Sequence, residues 1–66
     1  MQITLNGKAY MVDQDATIEK LAQTLNIAPT QVAIERNREI VPRSLYGQVQ
    51  LNEGDQVEIV AFIGGG

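Results

Sequence analysis

Residues Gln2–Val12 read QITLNGKAYMV, and this stretch decides the fold. Gln2-Ile3-Thr4-Leu5 alternates polar and apolar, the period-2 pattern of a strand with one buried face. Asn6-Gly7 follows, the pair best suited to a two-residue type I′ turn because both central positions need positive φ. Ala9-Tyr10-Met11-Val12 is then the return strand, read with Tyr10 and Val12 inward. A hairpin therefore opens the chain.

Working outward, Asp13-Gln14-Asp15-Ala16 is a connector and Thr17 is a helix N-cap, with Asp15 and Glu19 placing negative charge near the positive helix end. Ile18, Leu21, Ala22 and Leu25 stand at i, i+3, i+4 and i+7, one apolar stripe on a short helix. Asn26 suits a left-handed terminator, and Pro29 prevents continuation. Val32-Ala33-Ile34-Glu35-Arg36 is the next strand, with Val32 and Ile34 inward. Asn37-Arg38-Glu39 turns the chain. Ile40-Val41 is a short extended piece before Pro42, and Ser44-Leu45-Tyr46-Gly47 a single tight turn. Val49 and Leu51 form a brief strand, Asn52-Glu53-Gly54-Asp55 a turn by composition, and Gln56–Phe62 the last strand. The order β-β-α-β-β-β predicts an α+β roll of the β-grasp (ubiquitin-like) type, a mixed sheet of about four to five strands over one main helix. The ordered domain is expected over 1–63, with a flexible glycine tail over 64–66.

Composition narrows the function. The chain has 66 residues, no cysteine and no histidine, and a net charge of −3. One small hydrophobic core is all such a length supports. Missing cysteine excludes disulfides, cysteine-based metal sites and a side-chain persulfide, and missing histidine removes the commonest general base. The acidic balance argues against nucleic acid as a partner. No apolar run approaches a membrane span and no signal peptide opens the chain, so a cytoplasmic protein that does not enter membranes is expected. Asp13 and Asp15 read as a solvated turn rather than metal ligands. Pocket catalysis has no visible nucleophile–base pair; the chain is not expected to be an enzyme.

The ending Ala61-Phe62-Ile63-Gly64-Gly65-Gly66 is the feature that composition leaves unexplained. Three glycines add nothing to a core and are costly to order. A cloning scar, a truncated linker and a frayed end are the plain readings. The sharper one makes the tail the working part. Its terminal carboxylate is unhindered, and three extended residues reach roughly 10 Å beyond the last strand. Glycine adapts to whatever backbone a narrow channel in a partner requires. A carboxylate becomes reactive once adenylated by ATP, after which an amine yields an isopeptide and a sulfur nucleophile a thiocarboxylate. With Val57 and Ile59 inward, Val60 and Phe62 are at least partly exposed, a docking patch beside the tail. Arg36 stands where alternation calls for an apolar residue. Either its stem packs and its head reaches water, or it faces a partner. Arg38 and Arg43 read as solvated turn residues.

The start MQITLNGK, the stretch AIERNREIVPRS (Ala33–Ser44) and the end VEIVAFIGGG (Val57–Gly66) together resemble the ThiS family of sulfur carriers of thiamine biosynthesis. The resemblance covers the whole chain. It implies that a ThiF-like adenylyltransferase, using ATP and magnesium, activates the carboxylate of Gly66. A cysteine desulfurase or related donor then converts it to a thiocarboxylate, and ThiG, thiazole synthase, takes the sulfur into thiazole. The functional diglycine maps onto Gly65 and Gly66, with Gly64 as an extra glycine. The small subunit of molybdopterin synthase, a ubiquitin-like protein modifier and an RNA-binding β-grasp domain are the competing readings.

Overall fold

A computed structural model describes residues 1–62. The strands are β1 (Gln2–Leu5), β2 (Lys8–Met11), β3 (Val32–Arg36), β4 (Glu39–Ile40) and β5 (Gln56–Ala61), with one helix, α1 (Ile18–Thr24), between β2 and β3. They form one mixed sheet in the order β2-β1-β5-β3-β4. β1 lies antiparallel to β2 and parallel to β5, and β3 is antiparallel to β5 and β4. The last strand in sequence is thus the central strand in space. This is the expected β-grasp roll, with five strands.

The opening hairpin forms because Asn6 and Gly7 take φ of 48° and 83°, the pair of left-handed residues that a type I′ turn needs. The register Ile3↔Tyr10 turns both toward the helix. Tyr10 and Val12 pack against the core from half-buried positions, as their inward assignment expects. The strand itself runs one residue earlier than the sequence suggests.

Helix α1 is capped at both ends. The Thr17 hydroxyl accepts from the Lys20 N–H at 3.1 Å, satisfying one free donor of the first turn. At the other end Asn26 takes φ 59°. The Ile27 N–H donates to Ala22 O at 2.9 Å and the Asn26 N–H to Gln23 O at 3.0 Å, the paired bonds of a Schellman termination. Ile18 and Leu21 on this helix meet Ile3, Ile34 and Val57 from the sheet, and these five are the largest fully buried side chains.

Two local expectations change. Val49–Leu51 is not a sheet strand. It makes one isolated bridge, Thr17↔Gln50, with bonds from the Ile18 N–H to Val49 O at 3.0 Å and from the Leu51 N–H to Ala16 O at 2.8 Å. Its alternation is real, but the buried side chains pack under the start of the helix, so the backbone pairs there. Glu39 is likewise not part of a turn. Asn37 and Arg38 alone form it, at φ 52° and 71°, and Glu39 already pairs with Arg36.

Candidate functional site

The expected site lies where β5 ends. β5 is held there on both sides. On one side Val32 registers with Ala61, and the Phe62 N–H still donates to Gln31 O at 3.0 Å. On the other side β1 stops at Leu5, leaving Ile59 without a strand neighbour. The Asn6 side chain replaces one. Its Oδ1 accepts from the Ile59 N–H at 2.8 Å and its Nδ2 donates to Ile59 O at 3.3 Å. The turn residue that makes the first hairpin thus also fastens the last strand, because the parallel β1–β5 pairing brings the hairpin tip beside Ile59.

Strand alternation sorts the site's side chains. Val57 is buried and Ile59 half-buried against the helix, while Val60 lies outward, 54% exposed, and Phe62, just past the end of β5, is 63% exposed. Ala33 sits across from Val60 on β3. On the inner side, an open apolar groove lined by Leu5, Ile27, Ile59 and Phe62 runs along the end of β5. Ile63, Gly64, Gly65 and Gly66, the sulfur-carrying positions expected from the sequence among them, lie outside the described residues.

Arg36 is not in this neighbourhood. It registers with Val57 near the start of β5, five residues and so roughly 17 Å of strand from Phe62. Its Nε donates to Asp55 Oδ2 at 2.8 Å. Asp55 also accepts from the Asn52 N–H at 2.8 Å and from Asn37 Nδ2 at 3.1 Å. Asn37 Oδ1 in turn accepts from the Gln56 N–H at 2.9 Å. Burial pushes the Asp55 carboxyl up, but the Asn52 N–H, the Arg36 and Asn37 side chains and the Arg36 charge together outweigh it. The net result is a carboxyl held below the usual carboxylate range. The Arg36 guanidinium therefore ties β3 to the entry of β5.

Sequence reasoning missed Asn6 and Asp55 in these roles. Both are turn residues by composition, and their partners stand far along the chain. Among the described residues no three metal-capable side chains converge, and no helix is long and apolar enough to cross a membrane. The chemical offer of this end is thus a firmly seated strand, an exposed apolar pair and the glycine terminus that follows.

The sequence model of the ThiS family matches residues 3–66. The chain is 48% identical over 66 residues to a thiazole synthase of Paramagnetospirillum magneticum, a match that takes in all of this chain but 20% of that protein. It thus spans about a fifth of the length of that relative, and of a thiazole synthase of Magnetococcus marinus matched to the same extent. It is 38% identical over 65 residues to the sulfur carrier protein ThiS of Bacillus subtilis, covering 97% of this chain and 98% of that one. The crystal structure of a thiamine biosynthesis protein, ThiS, from Geobacter metallireducens superposes with a TM-score of 0.85 at 33% identity over the full length of both chains.

Proposed function

The chain belongs to the ThiS family, and from that premise we propose that it is the sulfur carrier of thiazole formation in thiamine biosynthesis, with the Gly66 carboxyl as the carrying group. It is a substrate handed between enzymes and not a catalyst.

The chemistry follows from what a carboxylate requires. Its oxygen is a poor leaving group. A ThiF-like adenylyltransferase, with ATP and magnesium, joins AMP to the Gly66 carboxylate and releases pyrophosphate. Sulfide, or a persulfide supplied through a cysteine desulfurase or a related donor, attacks the acyl carbon and AMP departs; where a persulfide attacks, a thiol then reduces the acyl disulfide and leaves as a disulfide with the donor's sulfur. The resulting thiocarboxylate carries its sulfur to thiazole synthase. Gly64 and Gly65 keep the approach to Gly66 free of side chains, and their backbone adapts to each enzyme in turn. The presence of a region like this chain within two thiazole synthases supports that enzyme as the receiving partner. Each of these steps belongs in the cytoplasm, where ATP and the sulfur donors are found.

The observation that carries this reading is the family match running through the three terminal glycines, directly after a strand bonded up to Phe62. A thiamine-requiring strain lacking its own carrier tests it. Growth without thiamine is expected when the full chain is supplied, and no growth when Gly65 and Gly66 are deleted. Equal growth with both would remove the proposal.

A further inference from the structure

Asn6 does more than its turn requires. Its φ of 48° is one that glycine or aspartate also adopts in such a turn. The residue is exposed, so water is at hand for both polar groups of its side chain. Both are committed instead to one residue far along the chain, Ile59. The place of that residue gives the reason. The β1–β5 pairing runs to Leu5↔Val57, and the Asn6 N–H still donates to Val57 O at 2.9 Å. There the main chain turns away into the hairpin. A side-chain amide offers the same acceptor and donor as a peptide link, and that of Asn6 carries the ladder one step further, to the N–H and the carbonyl of Ile59. Among the described residues, β5 beyond Ile59 is bonded from the β3 side alone, through Val32↔Ala61 and the bond from the Phe62 N–H to Gln31 O.

We propose that Asn6 is a positioning residue for the reaction at Gly66: its amide fixes the end of β5, and with it the direction in which the glycine terminus leaves the domain. The inference rests on the carrier reading, since it concerns how the terminus is presented to an enzyme that activates it. Gly66 stands seven residues beyond Ile59 and nine beyond Val57. Losing the clamp therefore moves the last point held from both sides two residues further from the reacting carboxyl. The enzyme then has a longer and less directed segment to order, and ordering chain on binding costs free energy that a pre-set strand saves. Asn6 acts through the backbone of β5 and takes no part in the chemistry itself.

The test measures ATP–pyrophosphate exchange by the purified adenylyltransferase, with the full chain as the varied substrate. Asn6→Gly keeps a residue suited to the turn and removes the clamp. Its kcat is expected to fall about tenfold, the cost of a misdirected reacting group, with KM within about twofold of wild type because the rest of the domain is unaltered. Asn6→Asp keeps the turn and the acceptor for the Ile59 N–H but not the donor, and is expected to lose about threefold. Asp55→Ala, just before the start of β5, costs the fold more and leaves the clamp whole. Its folded fraction is expected to keep the wild-type kcat. A merely structural role would rank the variants by stability and not by the clamp. Wild-type kcat in both Asn6 variants, or a fall in Asp55→Ala as large as in Asn6→Gly, would overturn the inference and leave the carrier reading standing. Wild-type chain that supports no exchange would overturn both.

Discussion

The two ends of β5 are built on opposite principles. At its start, Asp55 is buried and each polar group around it has a partner: Arg36, Asn37 and the Asn52 backbone all donate to one carboxylate. At its end, Val60 and Phe62 leave apolar surface in water, and the strand's backbone is held in place by the Asn6 side chain and the Gln31 carbonyl. The first end spends its side chains on the fold. The second keeps them free. A chain of this size has little stability to spare, so one well-satisfied polar hub leaves the opposite end available for the partners proposed above.

The sharpest way to break the comparison is to alter the working end and look for an effect on the fold. Gly65→Ala adds a methyl group in the stretch proposed to thread into a partner. Sulfur loading is expected to fall by about 100-fold, the cost of a small misplacement of a reacting group, with the unfolding midpoint unchanged by calorimetry. The converse variant is Asp55→Ala, which strands the Arg36 charge. Urea unfolding is expected to show a loss of about 2–3 kcal/mol, since Arg36 keeps partial access to water. The fraction that remains folded is expected to load sulfur normally. Lost loading in a folded Asp55→Ala chain would mean that the two ends are coupled.

Smaller effects sharpen the division. Asn6→Gly keeps a residue suited to positive φ but removes both side-chain bonds to Ile59. About 1–2 kcal/mol of stability is expected to go, with faster amide exchange at Ile59. The pH response of Asp55 follows from its lowered pKa. Its contribution is complete above the ordinary aspartate value near ~3.9, and is lost as pH falls through the lower folded value. An acid titration of stability is expected to flatten in Asp55→Asn over that window. Phe62→Ala, at an exposed position, is expected to change stability by less than about 0.5 kcal/mol and to slow loading at low chain concentration.

How much of this was legible in the sequence depends on how far each residue's reason lies from it. Asn6-Gly7 announces its turn because the demand for positive φ is local. Thr17 and Asn26 announce the helix ends for the same reason. The exposure of Val60 follows from simple alternation on β5, and that of Phe62 from its place at the strand's end. Asn37-Arg38 does not announce a second hairpin turn, since arginine rarely takes positive φ. What holds it there is Asp55 and Gln56, well removed in sequence. The partner of Arg36 was hidden by the same distance, and composition offered only a choice between packing and docking. Val49–Leu51 misled because alternation reports a buried face without saying which neighbour the backbone meets. The clamp from Asn6 to Ile59 becomes visible only once the β1–β5 register is known.

The central claim is that sulfur rides on Gly66 and nowhere else. Intact-mass measurement of the chain from thiamine-starved cells, with fragmentation of its last residues, tests it most directly. One oxygen-to-sulfur exchange confined to Gly66 is the predicted result. An unmodified carboxylate there, unchanged after incubation with ATP, the adenylyltransferase and a sulfur donor, would contradict it.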